Sequence, residues 1–313
     1  MERAPRSRDA RWDVVGVGAN SVDFVYVLPA FPQPEGWYSK LRLTACLTTC
    51  GGQTATSLAA CARFGLRAAY VGAVGSDDNG ARLAEELPRR GVDASRLVVR
   101  DGTSQFALIL IDERTGERAV LWDRDERLRL QAGDLPLDLI ASARLLHVDD
   151  VDQDAAIQAA RHARALGMPV TSDLDRLTEQ TEALIATVTV PIFAEGLPEQ
   201  LTGERDHERA LRKLRRPHHG VLCTTLGRHG AVALEGDRFV VSPGFPVKAA
   251  DTTGAGDVFR GGFIYGSLNG WALDRTLRFA NAAAALQCTR LGAMAGVPDV
   301  GDVLELAETR GAS

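Results

Sequence analysis

The sequence predicts an α/β fold: one domain on a mainly parallel sheet with helices on both faces, and a small second β-sheet projecting from it as a lid. Three observations lead there. Short β-branched runs alternate with Ala-, Leu- and Arg-rich segments over most of the 313 residues, the pattern of strands joined by crossover helices. No Pro/Ser-rich linker, repeat or low-complexity stretch divides the chain. Two stretches, 22–43 and 97–121, read as strand pairs with no helix between them, and such a projecting pair is where a lid sits.

In chain order, residues 1–11 are charged and lack an apolar core, which predicts a disordered tail rather than a signal segment. The single domain then spans 12–313. Residues 14–17 (VVGV) read as the first strand, followed by the first strand pair, 22–43. The Ala-rich run 54–64 reads as a helix, 69–74 as a strand and 81–90 as a helix. Within 97–121, "DERTGER" is a turn between two alternating runs, the first of them 106–112. Strands 144–148 and 170–173 flank a helix at 155–166. A helix at 204–215 precedes strands 221–225 and 231–234, and helices 255–268 and 273–289 close the chain.

Composition narrows the function. The chain is 45% hydrophobic and 25% charged with net charge −5, so it has the balance of a soluble globular protein. An acidic chain gives no electrostatic reason to bind nucleic acid or an anionic membrane, and no apolar run is long enough to span a bilayer. Five cysteines, an odd number in a large chain, predict reduced thiols and a cytoplasmic location. Two nucleotide motifs fail. "GVGANS" has Gly16 and Gly18 but Ser21 where a dinucleotide fingerprint needs a third glycine. None of Lys40, Lys213 and Lys248 follows a glycine, so there is no P-loop.

"DTTGAGDVFRGGF", 251–263, carries the chemistry. At the start of a helix, Asp251 and the threonines cap it, and Gly254, Ala255 and Gly256 leave the first N–H groups uncovered, a ready anion site. Asp257 sits one turn in. A carboxylate there repels a phosphate, so its useful role is to take a proton from an attacking hydroxyl. The alternative is a capped helix packed closely on its neighbours through Gly261 and Gly262.

The rest of the chain shifts that balance, because the motif resembles the C-terminal signature of the PfkB, or ribokinase-like, carbohydrate kinases. "CGGQTATSLAACARFG" (50–65) is similar to the family's Gly-Gly signature. "VGVGANSVDFVYVLPAFPQPEG" (15–36) resembles its opening strand and lid entry, "TTLGRHGAVAL" (224–234) its nucleotide-side turn, and "FANAAAALQCTRLGAMAGVP" (279–298) its last helix and closing loop. Order and spacing match from 12 to 306.

The resemblance implies a three-layer α/β/α core with a β-sheet lid and an ATP-dependent sugar kinase. Asp257 would be the base, and Gly254, Ala255 and Gly256 the anion hole. Asp23, Gly51, Gly52, Gln53 and Thr56 would hold the sugar, and Thr225, Gly227, Gly230 and Asn281, with Gly254 and Gly256, the nucleotide. Glu195 would act indirectly on Mg²⁺, the cofactor of ATP. Asp251, Thr253, Arg290, Gly292 and Gly296 match the family's monovalent-cation loop, which implies K⁺. Arg260 either aids transfer or faces solvent. The resemblance also implies a homodimer through the lid sheets.

Three departures stand out: Gln53 and Thr56 where the family often has Asn, Ile192 in place of the Asn of its N-x-x-E element, and Trp37 and Tyr38 in the lid turn. With Trp122, Asp149 and Asp150 as the other candidate pocket side chains, aromatic faces and carboxylates favour a neutral sugar or polyol. Lys40 and Arg42 leave an anionic sugar open, and stacking leaves a nucleoside open. The missing polar groups leave open a sugar- or nucleotide-sensing protein with little catalysis.

Overall fold

The computed structural model describes residues 10–309, so most of the expected tail lies outside the described residues. In chain order the strands are β1 (Trp12–Val17), β2 (Ser21–Leu28), β3 (Ala45–Gly51), β4 (Ala68–Val71), β5 (Ala73–Gly75), β6 (Val92–Asp93), β7 (Val98–Arg100), β8 (Phe106–Asp112), β9 (Arg118–Asp123), β10 (Ala143–Asp149), β11 (Val170–Leu174), β12 (Val190–Phe193), β13 (Val221–Thr225), β14 (Ala231–Glu235) and β15 (Arg238–Ser242). The α-helices are α1 (Gln53–Arg63), α2 (Asp78–Arg89), α3 (Leu137–Ala141), α4 (Gln153–Ala165), α5 (Thr181–Ile185), α6 (Leu197–Thr202), α7 (His207–Leu214), α8 (Ala255–Leu268), α9 (Leu273–Gln287) and α10 (Val300–Glu308).

Nine strands form one sheet in the order β15-β14-β13-β12-β11-β10-β1-β4-β6. It is parallel from β6 to β13 and antiparallel at the β14–β15 edge. Central strands of such a sheet are covered on both faces, so they lack polar alternation: every residue of β11 is buried, and so is all of β10 but one. On one face α1, α8 and α9 pack side by side. A Cβ on Gly261 would come within 2.6 Å of Ala60 Cβ, and one on Gly262 within 2.9 Å of Ala280 Cα. Both glycines therefore let α8 lie close between its neighbours, as the packing alternative expected.

A separate four-stranded sheet, β3-β2-β8-β9, forms the lid. Its limits differ from the expected ones. The partner of β2 is β3, which starts at Ala45, and residues 29–44 hold one short 3₁₀ turn, Gly36–Ser39. Val98–Arg100 is not lid: it pairs with Ala73–Gly75 in a two-stranded sheet. That pairing also splits the expected strand at 69–74, whose first half stays in the main sheet while the second leaves it at Gly72. β12 and β15 were not foreseen. β12 carries Pro191 and is only four residues long, and β15 follows β14 through a tight two-residue turn.

Candidate active site

The site lies at the C-terminal edge of the parallel strands, where α8 begins under the lid. Gly254 caps α8 with φ +76°, a left-handed conformation that favours glycine. A Cβ there would also stand 2.9 Å from Ala293 Cα. The expected capping by Asp251 and the threonines is not found: the helix start has no side-chain cap, Ala255 N donates to Thr252 O at 3.4 Å, and no side chain covers the amides that follow. Asp257, in the first turn, is half-buried, and Ser57 Oγ donates to its carbonyl at 3.0 Å, tying α8 to α1. Burial raises its carboxyl well above the ordinary value. Arg260 opposes the rise, Asp175 and Asp23 add to it, and Arg118 from the lid opposes it.

Asp23 comes from β2. It is buried, accepts from Ser21 Oγ at 2.7 Å, and burial pushes it up to about 6. A Cβ on Gly51, across the β2–β3 ladder, would fall 2.1 Å from its Oδ2, so the carboxylate needs the bare backbone beside it. Gly52, φ +98°, brings the start of α1 against Asn20. Gln53 Nε2 and Thr56 Oγ1 are buried and make no hydrogen bond. Asp23 and Gly51 are neighbours, and the Asp23 charge acts on Asp257.

Thr225, Gly227 and Gly230 form the turn between β13 and β14, and Glu195 is exposed beside it, with Oε2 3.5 Å from where a Cβ on Gly227 would stand. Ile192 is fully buried in the apolar cluster with Cys223, Phe259 and Phe263; it is a core residue. Asn281 is buried, and its amide nitrogen donates to Ser242 O, Ser242 Oγ and Pro243 O at 2.9, 3.0 and 3.3 Å. It shapes the wall after β15, and its donor is not free for a base. Before α8, Asp251 is buried, and in the closing loop Arg290 pairs with Asp302 at 3.4 Å on the surface.

Several expectations are corrected. Asp149 and Asp150 are buried and bound to the chain around them, although Asp150 Oδ1 has no hydrogen-bond partner. Asp149 accepts from Ala19 N at 2.6 Å, Thr54 Oγ1 at 2.7 Å and Val151 N at 3.1 Å; Asp150 accepts from Asp175 N and Arg176 N at 2.7 and 2.8 Å. They fix loops at the strand ends. Trp37 is 94% exposed, and the Tyr38 side chain lies outside what the structure describes. Trp122 does face the cleft side of the lid, with the Arg176 guanidinium 5.5 Å from its ring centre. Arg260 is not at the surface: it is 2% exposed, 2.5 Å from Asp173 and 3.4 Å from Asp175, beneath the anion hole. A Cβ on Gly256 would meet its Nη1 at 2.8 Å. Sequence reasoning missed Asp173, Asp175, Arg176, Arg118 and Gln287. The "SDLDR" run closing a strand was a usable signal for the first three.

The raised carboxyl of Asp257 thus stands in the first turn of α8 under the lid sheet, and the buried Asp23 carboxylate adds to its rise. The pfkB family carbohydrate kinase model matches residues 24–300. The chain belongs to the pfkB family of carbohydrate kinases. It is 30% identical over 322 aligned residues to fructokinase-1 of Zea mays, covering 94% of this chain and 97% of that one. It is 26% identical to a nucleoside kinase of Methanothermobacter thermautotrophicus, covering 94% of each. Among solved structures, a putative ribokinase from Agrobacterium tumefaciens superposes with a TM-score of 0.88 at 30% identity, over 95% of this chain and 97% of that one. As a pfkB kinase the protein is an ATP-dependent phosphotransferase on the ribokinase-like fold. No helix among the described residues is long and apolar enough to cross a membrane.

Proposed function

We propose that this kinase transfers the γ-phosphoryl group of ATP to a hydroxyl, a primary one, of a small sugar or polyol, with Asp257 as general base. The observation that carries this is the placement of Asp257 in the first turn of α8, beside uncapped amides and across from Asp23. Asp23 and the backbone at Gly51 and Gly52 hold other hydroxyls of the acceptor, with Gln53 and Thr56 supplying polar atoms that have no partner within the protein. Asp257 takes the proton of the reacting hydroxyl. The acceptor oxygen then bonds to the γ-phosphorus, the bond from that phosphorus to the β–γ bridging oxygen breaks, and ADP leaves with the electron pair. The amides of Ala255, Gly256 and Asp257 stabilise the equatorial oxygens.

ATP lies along the turn of Thr225, Gly227 and Gly230, behind the wall that Asn281 fixes. Mg²⁺ supplies charge neutralisation on the phosphates when bound. No group of three or more His, Cys, Asp or Glu side chains among the described residues could hold a metal by itself. The fit is therefore to a metal carried by ATP oxygens and water, with Glu195 at Gly227 as an outer partner.

The test is ADP release across ketoses, aldoses, polyols, nucleosides and anionic sugars. One acceptor should stimulate turnover strongly, and that turnover should fall as pH drops, because the base works ionised and its pKa lies above the ordinary carboxyl range. ATP binding with no acceptor-dependent ADP release from any class would overturn the proposal.

The outer lid face favours a homodimer through the lid sheets. Phe24, Leu108 and Leu121 stand in register across β2, β8 and β9, with Leu108 37% and Leu121 54% exposed, and exposed apolar sheet faces seek partners. Sedimentation should give the dimer mass. The monomer mass throughout a concentration series would exclude it.

A further inference from the structure

The loop before α8 and the loop after α9 press together behind the anion hole, where Gly254 meets Ala293. These segments resemble the family's monovalent-cation loop. Such a loop works because several carbonyl oxygens point at one spot with no donor among them, and their mutual repulsion is relieved only by a cation. Three carbonyls do converge here, Thr253 O, Gly292 O and Ala293 O. They converge on a side chain: Gln287 Nε2, at the end of α9, donates to them at 3.0, 2.9 and 3.0 Å.

Other groups of the loop are also engaged, although Thr253 Oγ1 is buried without a partner. Gly292 O accepts a second hydrogen bond from Gly296 N at 2.9 Å. Asp251 spends both carboxylate oxygens on backbone, Oδ1 on Thr253 N at 2.8 Å and Oδ2 on Gly292 N at 2.9 Å. Only the amide nitrogen of a glutamine can donate to a carbonyl, so three acceptors around one end fix the orientation of the group. Gln287 is fully buried, and its Oε1 has no hydrogen-bond partner. A buried amide that leaves its oxygen unpaired in order to place its nitrogen among three carbonyls marks where the stronger demand lies. The amide fills the space beside Gly296, where a Cβ would stand 2.6 Å from Nε2 and 2.8 Å from Gly292 O. The residues do not fit a monovalent cation.

We propose that the Gln287 amide stands in for the cation, so that the anion-hole loop is ordered by the protein itself and the enzyme needs no K⁺. Gln287 is a positioning residue: through Thr253 it fixes the residue before Gly254, and through Gly292 and Ala293 the surface Gly254 packs on. An amide supplies two hydrogens of partial positive charge, enough to neutralise the converging carbonyl dipoles, and unlike an ion it does not exchange with the medium.

The experiment compares potassium chloride with tetramethylammonium chloride at equal ionic strength, reading both turnover and melting temperature of the full chain. The turnover arm rests on the kinase proposal; the melting arm does not, and it decides the matter if no acceptor is found. The wild type should show the same turnover and melting temperature in both salts. Gln287→Ala vacates the space and leaves the carbonyls unpaired. It should lose at least about tenfold in turnover in tetramethylammonium, the rate equivalent of one weak hydrogen bond's free energy, and K⁺ should restore much of that loss and raise its melting temperature. Gln287→Leu fills the volume without a donor and should be impaired in both salts. Saturable K⁺ activation or K⁺ stabilisation of the wild type would overturn the proposal, as would a Gln287→Ala enzyme indifferent to the salt. If Gln287→Ala does not fold, the wild-type salt comparison decides alone.

Discussion

The Asp257→Asn enzyme is expected to retain ATP binding and to lose turnover by about 10²- to 10⁴-fold, the usual contribution of a positioned general base. Asparagine has nearly the same volume and can still accept a hydrogen bond, so the amides of 255–257 and the fold are left intact. What disappears is the proton acceptor, whose properties arise from three sides. Burial raises its carboxyl pKa, Arg260 from its own helix and Arg118 from the lid lower it, and Asp175 and Asp23 raise it. Binding titration with ATP and single-turnover kinetics with the best acceptor would separate the two effects. Turnover within a few-fold of wild type would show that the base lies elsewhere.

Replacing Arg260 by Leu should cost about 3–5 kcal/mol of stability at neutral pH, the range for breaking a buried ion pair by removing one partner. The pair with Asp173 has side chains only 3% and 1% exposed, and neither carboxylate oxygen of Asp173 has a hydrogen bond to fall back on. Burial already raises the Asp173 carboxyl well above its ordinary value, and Arg260 is the main group holding it down. Without Arg260 the folded-state pKa rises further above the unfolded one. The folded state then binds a proton more tightly than the unfolded state, so stability improves as pH falls. Urea denaturation should therefore find the defect largest above neutrality and smaller toward pH 5, and a double variant that also replaces Asp173 by Leu should recover much of it. A loss under about 1 kcal/mol, flat with pH, would mean that the pair is solvated.

Local patterns were legible wherever one interaction dominates. The α8 boundaries, 255–268, were read as they stand because glycines mark the helix start and Asn269–Gly270 its end. Asp23 and Gly51, singled out by the family resemblance, are neighbours because the β2–β3 ladder sets them side by side. What escaped depends on partners distant in sequence. Asp149 and Asp150 look like pocket carboxylates until Ala19, Thr54 and the 175–176 amides arrive to claim them. Arg260 looks like a surface cation until β11 brings Asp173 beneath it. Gln287 reads as one more polar residue on a helix, because its three carbonyl partners belong to two loops that no periodicity places side by side. Strand limits failed for the same reason at Gly72, where the competing partner, β7, decides where the sheet divides.

The clamp of Asp149 on Ala19 has a mechanical meaning. Residues 18–20 are the sole covalent passage from β1 into β2, and they are pinned from both sides. Asp149 holds Ala19, while Asn20 Nδ2 donates to Tyr70 Oη and Ala73 O at 2.8 and 2.9 Å. That passage cannot act as a pivot. The root of β2 moves with the core, so Asp23 keeps its station opposite Asp257 whatever the rest of the sheet does. Any opening must come from flexing across the width of the sheet, growing from β2 through β8 to β9. Access to the cleft is then governed by the free margin at β9, where Arg118 meets Thr252 and Trp122 meets Arg176, much as a flap anchored along one side yields first along the other.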